Sequence, residues 1–463
     1  MAFNDMREFL AHLEKEGELK RIKAEVDKDW EISTIARKFF LERPPEKRPA
    51  LIFDKVKGFK IPVVVSVFGS RRRYALALET TEKGINDRWV KALKDPIEPR
   101  IVPTGPCKEN IMLGDEVDLG KFPIPIWTPP KDVGPYITSG GCVTRDPETK
   151  VRNVGTYRLQ IKGKNKTGLY PGSPEQHIAI HHQKYERMNK PMDIAVVLGP
   201  DPYVPMCQVT RVPLGVDEFA VAGGLKGEPI DLVKCETVDL EVPASSEIVI
   251  EGEVPAHIRE SEAPFGETSG FMSPRRNSEI INVKAITYRN NAAYHCFISQ
   301  KPPSESTMIK CIGAEGTLYW DLVRTGVPGI VDVYCPEPGS NGFYIVVAIK
   351  KSFPGHARQV FYAIWSAQPM LGKYIIVCDD DIDIRNPFDV EWALTYRCDP
   401  ARDSLLVSDA SGAGIDPTRS HSEVTGKIGL DATIKRREDY DLALPDPKYF
   451  EKVNARWKEY GID

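Results

Sequence analysis

The sequence predicts a mixed α+β and α/β fold in which a β-rich middle part lies between two α/β parts. The chain has 463 residues, which at about 100–200 residues per domain is enough for two or three domains. Runs of β-branched and aromatic residues, separated by glycine and proline turns, are concentrated in the middle third. Towards both ends, short apolar runs accompany segments with helical periodicity. We place the predicted domains at 1–105, 106–304 and 305–463.

The N-terminal part begins with a predicted amphipathic helix. Apolar side chains recur at helical spacing from Met6 to Leu13, Asn4 or Asp5 can cap the segment, and Gly17 can end it. Prolines are frequent between residues 103 and 130, which indicates an extended linker and a domain boundary, because proline cannot continue a helix.

Further elements follow from the composition of short runs. Strands are predicted at 50–53, 62–67, 151–161, 193–198, 246–251, 280–289, 292–299, 344–350 and 374–378. Helices are predicted at 357–366 and 389–395. The strands of the middle third favour an antiparallel sheet or barrel over βαβ units.

Composition and charge exclude several classes of protein. The net charge of −4 gives no reason to expect a nucleic-acid partner, and the basic cluster Arg71–Arg73 is interpreted as a solvated turn. No apolar run approaches the roughly 18 residues of a transmembrane segment. Nine cysteines without a C-x-x-C pair indicate reduced thiols, and we therefore expect a cytoplasmic protein.

Common catalytic motifs are absent from the sequence. The tripeptide at 425–427 lacks the glycine and the Ser/Thr of a phosphate loop, and no dinucleotide, zincin or nucleophile-elbow motif occurs. The carboxylates of Asp379–Asp381 and Asp383 follow a predicted strand, where a magnesium site is conceivable. We favour a solvated loop in which one aspartate caps the next helix.

The hexapeptide EAPFGE (262–267) is the most informative stretch. Glu262 and Glu267 flank Pro264 and Gly266, which bend the chain and can turn both carboxylates into one cavity. Two such carboxylates, one of them beside a cation, can take different roles in acid–base chemistry. The alternative is a surface turn with two solvated acids.

A second segment, NVGTYR (153–158), lies in a predicted strand. Alternation puts Asn153 and Arg158 on opposite faces unless a bulge at Gly155 intervenes. An arginine among β-branched neighbours needs a partner, and Glu262 is a candidate. With His177 and Glu218, Asn153 offers an O, N, O donor set that suits a divalent ion such as manganese, and through it an anionic phosphate.

Dispersed motifs in a fixed order identify the chain as similar to a known family. They are NVGTYR (153–158), QHI (176–178), GVDEFAVAGGLKG (215–227), LVKCETVDLEVPASSEIVIEGE (232–253), EAPFGETSGF (262–271), VCDDDIDI (377–384) and GKIGLDAT (426–433). Together they resemble the UbiD family of reversible decarboxylases, which use prenylated FMN. The resemblance implies a split β-barrel flavin-binding domain between an N-terminal α/β part and a C-terminal α/β oligomerisation domain.

The resemblance also implies roles for individual residues. Arg158, Glu262 and Glu267 match the catalytic Glu-Arg-Glu network, with Glu267 as the proton donor. Asn153, His177 and Glu218 match the ligands of a divalent metal, usually Mn²⁺, beside which K⁺ often sits. The other positions that match contacts to the cofactor are Thr156, Tyr157, Gln176 and Lys427, the last of which approaches the phosphate.

We therefore expect a reversible, non-oxidative decarboxylase of an aromatic, heteroaromatic or α,β-unsaturated acid. The side chains of Thr268, His295, Ser304 and Thr307 could line the pocket and hint at a hydroxybenzoate-type or heteroaromatic acid, although His295 could equally be a strand residue satisfied by backbone. Alternatives are a polyprenyl-hydroxybenzoate decarboxylase of ubiquinone synthesis and a flavin-binding subunit of a multi-subunit carboxylase. Expected partners are the acid, CO₂, a flavin prenyltransferase that supplies the cofactor, and further copies in a homodimer or homohexamer.

Overall fold

A computed structural model describes residues 2–210, 212–420, 423–435 and 442–461 of the chain. Eleven α-helices occur among these residues. They are α1 (Met6–Lys15), α2 (Glu31–Glu42), α3 (Arg71–Ala77), α4 (Ile85–Lys94), α5 (His177–Arg187), α6 (Tyr203–Gln208), α7 (Glu218–Lys226), α8 (Glu305–Arg324), α9 (His356–Ala367), α10 (Pro387–Arg397) and α11 (Pro447–Ala455). The predicted first helix is confirmed: Asp5 caps it by accepting from the Glu8 N–H, and its apolar stripe is buried.

The strands follow the β-branched runs of the sequence. In the first half they are β1 (Leu19–Val26), β2 (Ala50–Val56), β3 (Val63–Val65), β4 (Arg100–Ile101), β5 (Asn110–Leu113), β6 (Tyr136–Ile137), β7 (Gly141–Arg145), β8 (Arg152–Thr156), β9 (Leu159–Gly163), β10 (Lys166–Leu169) and β11 (Met192–Leu198). The second half contains β12 (Asp231–Lys234), β13 (Glu241–Pro243), β14 (Ile248–Val254), β15 (Glu260–Glu262), β16 (Arg276–Tyr288), β17 (Tyr294–His295), β18 (Ile330–Tyr334), β19 (Tyr344–Ile349), β20 (Tyr374–Asp379), β21 (Ser404–Ser411) and β22 (Val424–Ala432).

A ten-stranded antiparallel sheet forms the middle of the molecule. Its path runs β6-β9-β10-β16-β14-β11-β7-β8, and β5 and β15 also pair with β16. The antiparallel sheet predicted for the middle third is therefore present. The proline-rich segment predicted to be a linker contributes β5 to this sheet, because its residues 110–113 pair with the end of β16.

The two outer parts are mixed α/β layers. The N-terminal sheet has the order β1-β2-β3-β17, so its last strand comes from residues 294–295, which pair in parallel with β3. The C-terminal sheet has the order β18-β19-β20-β22-β21, in which β19, β20 and β22 are parallel. A small fourth sheet has the order β13-β12-β4. Helix α8 begins where the middle sheet ends and leads into the C-terminal part.

The interpretation of Arg71–Arg73 as a solvated turn is wrong. Arg73 is fully buried, where its guanidinium donates to Glu18 at 3.0 Å and to backbone carbonyls of the same part of the chain. Arg71 donates to the buried Glu315 at 2.7 Å. Arg72 pairs with Glu18 at 2.8 Å and is half exposed. The cluster opens α3 and ties the N-terminal part to α8.

The acidic segment after β20 agrees with its prediction in part, because Asp380, Asp381 and Asp383 are exposed in a loop as expected. Asp379 is buried and accepts a hydrogen bond from Arg397 at 3.2 Å, and both oxygens of Asp381 accept from the same guanidinium at 2.7–2.8 Å. Asn386, and not an aspartate, caps α10. An internal cation therefore neutralises these carboxylates, and we do not assign a magnesium site to them.

Candidate active site

A cavity of about 380 Å³ lies beside the ten-stranded sheet. Its wall combines β8, the first turns of α5 and α7, and the N-terminal half of α8 with loops around residues 265–268, 368–371 and 413–415. A cavity of this size suits a cofactor-sized or drug-sized ligand. Its lining residues come from segments between Thr138 and Ile415, so the cavity forms only when these distant segments fold together.

A break between β8 and β9 brings Asn153 and Arg158 to the same cavity. The pairing of β8 has no bulge at Gly155. The chain instead leaves β8 after Thr156 and enters β9 at Leu159. A Cβ at Gly155 would lie 2.6 Å from the Tyr157 ring, so glycine permits this ring to fold back on the strand. Arg158 forms an isolated bridge with Tyr170, and both residues line the cavity.

Arg158 is held between the two glutamates predicted from the sequence. Its Nε and Nη2 donate to the two oxygens of Glu262 at 2.9 and 3.1 Å, and its Nη1 donates to Glu267 Oε1 in a short contact. Glu262 is fully buried, whereas Glu267 is partly exposed and lines the cavity. The planar guanidinium therefore faces a closed carboxylate on one edge and an accessible one on the other.

Aromatic rings and carboxylates keep Arg158 charged. Burial opposes its charge, but the carboxylates of Glu267 and Glu262 outweigh burial and raise its pKa. The guanidinium carbon lies 4.1 Å from the centroid of Tyr170 and 5.3 Å from that of Phe265. The side chain is fixed in orientation as well as in charge.

The 262–267 turn is anchored by hydrogen bonds, and the alternative of a surface turn with two solvated acids is wrong for Glu262. The Ala263 N–H donates to Gln160 at 3.0 Å, and its carbonyl accepts from the Tyr136 hydroxyl at 3.0 Å. A Cβ at Gly266 would lie 2.6 Å from Thr128 Oγ1, so only glycine allows this close approach. The turn thereby presents Glu262 and Glu267 to one arginine.

Asn153, His177 and Glu218 also line the cavity. His177 Nδ1 lies 3.9 Å from Glu218 Oε1, and Glu218 Oε2 accepts from the Val154 N–H at 2.8 Å. Burial raises the pKa of Glu218, against the effect of His177 and backbone N–H groups. Among the described residues, no three His, Cys, Asp or Glu side chains converge as metal ligands, so a metal here needs the amide of Asn153 as its third donor.

The remaining predicted cofactor positions divide into two groups. Thr156, Tyr157 and Gln176 line the cavity, and Thr156 Oγ1 is buried without a hydrogen-bond partner. Lys427 does not line it: the ammonium donates to the carbonyls of Pro369 and Leu371, and burial lowers its pKa to about 8. Leu371 itself lines the cavity, so Lys427 lies directly behind the wall.

Of the four residues predicted to line the substrate pocket, one lines the cavity. Thr268 lines the cavity. Ser304 caps α8 instead, and the buried Thr307 hydroxyl contacts the Ser304 hydroxyl. His295 lies in β17 outside the lining, and its Nε2 is buried with no hydrogen-bond partner, so it is not a strand histidine satisfied by backbone. Burial lowers the pKa of His295 to about 4.

Lys310 is a functional candidate that sequence reasoning missed. It lies in the second turn of α8 and lines the cavity, and burial lowers its pKa. The motif spacing gave no signal for it, because it belongs to a helix whose buried residues surround its axis. Ser306, one turn earlier, lines the same cavity.

Three family models together match most of the chain. They describe 3-octaprenyl-4-hydroxybenzoate carboxy-lyase: its N-terminal domain at 10–93, its Rift-related domain at 100–302 and its C-terminal domain at 307–432. The fold and the arginine between two glutamates thus define a carboxy-lyase. The chain belongs to the UbiD family, as the sequence motifs predicted.

Solved structures agree with this assignment. HmfF from Pelotomaculum thermopropionicum, solved with FMN, is 35% identical, with 96% of this chain and 98% of that chain covered and a TM-score of 0.87. The vanillic acid decarboxylase VdcCD of Sedimentibacter hydroxybenzoicus in its closed form is 31% identical, with 99% and 100% covered and a TM-score of 0.89. The 3,4-dihydroxybenzoic acid decarboxylase of Enterobacter cloacae is 25% identical, with 97% and 99% covered and a TM-score of 0.85.

These likenesses confirm the predicted UbiD-like, mixed α+β fold and the predicted class of enzyme. The positions of the domain limits stay predictions. Among the described residues, no helix combines the length and the apolar character that a membrane span requires.

Proposed function

We propose that this chain is a reversible, non-oxidative decarboxylase of an aromatic or heteroaromatic carboxylic acid, with prenylated FMN as its cofactor. The observation that carries the proposal is Arg158, which offers Nη1 to the cavity while Glu262 occupies its other edge. A substrate carboxylate can accept a hydrogen bond from this Nη1 in place of Glu267. Relatives that act on vanillic and 3,4-dihydroxybenzoic acids favour a hydroxybenzoate-type acid.

A flavin fits the polar groups of the cavity wall. The amide Nδ2 of Asn153 and the hydroxyl of Thr156 are buried there without partners, and such groups are costly unless a ligand satisfies them. HmfF was solved with FMN, and an evolved dimeric form of it with prenylated FMN. When bound, the prenylated flavin would supply the electron sink that side chains lack.

In this proposal, Asn153, His177 and Glu218 hold a Mn²⁺ ion, with K⁺ beside it, against the cofactor phosphate. The imidazole and two oxygen donors suit a divalent ion, and a single carboxylate leaves the ion positive towards an anion. Thr156, Tyr157 and Gln176 would contact the cofactor. The positive charge of Lys427, which donates to the Leu371 carbonyl, would attract the phosphate from behind the cavity wall.

The chain's own residues would bind and protonate the substrate. Arg158 receives the substrate carboxylate at Nη1, and Glu262 keeps the guanidinium plane fixed. Because Glu267 uses the same Nη1, the incoming carboxylate separates Glu267 from its cation. A carboxylate that loses its cation beside a second anion takes up a proton.

The proton on Glu267 then completes the reaction. The carbon–carboxylate bond breaks, CO₂ leaves, and the proton from the Glu267 carboxyl bonds to the ring carbon that carried the carboxylate. Water reprotonates Glu267 through the open side of the cavity. In the reverse direction, Glu267 accepts the proton from the ring carbon, and that ring carbon forms a bond to the carbon of CO₂.

The first test is to co-express the chain with a flavin prenyltransferase, purify it without oxygen and weigh the released flavin by mass spectrometry. We expect prenylated FMN, together with bound manganese and CO₂ release from members of an aromatic acid panel. If the folded protein carries manganese but neither flavin, or carries prenylated FMN and decarboxylates no acid, the proposed function is wrong for the isolated chain.

A second candidate is a flavin-binding subunit of a multi-subunit carboxylase. It is favoured by the likeness to VdcCD, whose structures contain a second component. The two candidates separate when the chain is purified alone: a self-sufficient enzyme turns over as a homodimer or homohexamer, whereas a subunit retains flavin and stays inactive until its small partner is added.

A further inference from the structure

Lys310 is a charged residue of the cavity wall that forms no ion pair with the described residues. Among the charged side chains lining the cavity, Arg158 is paired with Glu267, and Glu218 with His177. The Lys310 ammonium has no hydrogen bond and no ion pair with any described residue. The side chain is half-buried, and this burial lowers the pKa of Lys310.

The position of Lys310 assigns it to the reacting end of the cavity. Lys310 lines the same cavity as Arg158 and Glu267. Of these two charged neighbours, Glu267 raises the pKa of Lys310 and Arg158 lowers it. The group that Lys310 serves therefore belongs to the molecule bound at Arg158, and not to the phosphate near Asn153. Neighbouring wall residues on α8, Ile309 and Ala314, are apolar and offer no acceptor.

We propose that Lys310 binds a second negatively charged oxygen group on the substrate ring, so that the preferred substrates are aromatic acids carrying an additional carboxylate or an ionised phenol. The inference rests on the proposed function, because it takes Arg158 as the site of the carboxylate that is lost. A half-buried ammonium without an ion pair is incompletely solvated, and an anionic acceptor on the ligand compensates for the missing solvation. A neutral substituent of equal size leaves the cost in place.

The test compares ligand pairs of similar shape, in which one member carries a second carboxylate or a phenol that can ionise and the other carries a neutral group. Benzene-1,4-dicarboxylate is compared with 4-nitrobenzoate, and 4-hydroxybenzoate with 4-fluorobenzoate, together with the 1,3-isomers of each. Dissociation constants are measured by calorimetry on the manganese-loaded protein carrying plain FMN, and kcat/KM on the enzyme carrying prenylated FMN. The proteins are wild type, Lys310→Met, Lys310→Arg and the exposed control Lys190→Met.

We expect the wild type to bind the charged member of one pair about 10- to 100-fold more tightly than its neutral counterpart. Lys310→Met removes this preference while the neutral acids bind as before, Lys310→Arg keeps part of it, and Lys190→Met leaves it intact. A preference confined to the dicarboxylates identifies a carboxylate as the second group. A preference for the hydroxy acid that Lys310→Met removes identifies the phenol oxygen as the second group.

Three results would overturn the inference. The first is a wild type that discriminates in neither pair. The second is a Lys310→Met variant that keeps the wild-type preference, and the third is one that binds charged and neutral acids equally weakly. The last result would make Lys310 a positioning residue for Glu267. Loss of all acid binding or of flavin in the wild type refutes the proposed function itself, and so differs from these outcomes.

Discussion

The bidentate contact between Glu262 and Arg158 makes Glu262→Gln a sharp test of the site. The two hydrogen bonds, at 2.9 and 3.1 Å, join side chains that are 0% and 7% exposed. Removing one partner of a buried ion pair costs about 3–5 kcal/mol. Glutamine keeps one acceptor but turns an N–H towards a guanidinium N–H. Because Glu267 still balances the charge of Arg158, we expect the lower end of this range, a loss of about 3 kcal/mol of unfolding free energy.

The assay is urea unfolding followed by circular dichroism, with kcat/KM measured on the same preparations. Glu260→Gln is the matched control, since it lies in the same strand, removes the same charge and breaks pairs with Lys162 and Lys166. Its side chain is 35% exposed, and we expect a loss below about 1 kcal/mol. Equal losses for the two variants, or unchanged kcat/KM in Glu262→Gln, would refute the view that Glu262 orients Arg158.

Three further outcomes are expected. Glu267→Gln lowers turnover by about 10²–10⁴ while the protein retains its flavin, because only the donated proton is missing; normal turnover would exclude Glu267 as the proton donor. Glu218→Ala loses manganese, measured by elemental analysis against Glu260→Gln, and equal manganese in both would place the metal elsewhere. Burial lowers the pKa of His295 from 6.5 to about 4, so the imidazole stays neutral in the folded protein above that pH. Below pH 6.5 the unfolded chain binds a proton that the folded chain does not. The stability present above pH 6.5 is therefore lost as the pH falls towards 4. His295→Gln should flatten this part of the urea-midpoint profile, and an unchanged slope would contradict the assignment.

Elements with one strong local signal were predictable from the sequence. The capped stripe of α1 and the β-branched runs that became β11, β14, β19 and β20 agree with the structure to within a few residues. These runs are buried in sheets and carry their own periodicity or composition. Arg158, Glu262 and Glu267 were found because two bending residues and an arginine in a strand are themselves unusual.

Features that depend on distant partners were not predictable. Helix α8 has buried residues on every side, including Glu305, Ile312, Glu315 and Leu318, so it lacks the apolar stripe that marks a helix in a sequence. Lys310 was missed with it. Arg73 looked solvated because its partner Glu18 lies 55 residues away. The strand predicted at 292–299 is longer than the observed strand, which contains only residues 294–295.

The pairing of β17 with β3 has a consequence for how the chain is made. Ribosomes synthesise the N-terminal part first, yet the outer edge of β3 stays unpaired until Tyr294 and His295 have been added. During that interval an apolar strand edge with Val63 and Val65 is open to other chains. Fragments that end before residue 294 would keep this edge permanently, and we expect them to aggregate, whereas the full chain closes it by a contact between distant segments.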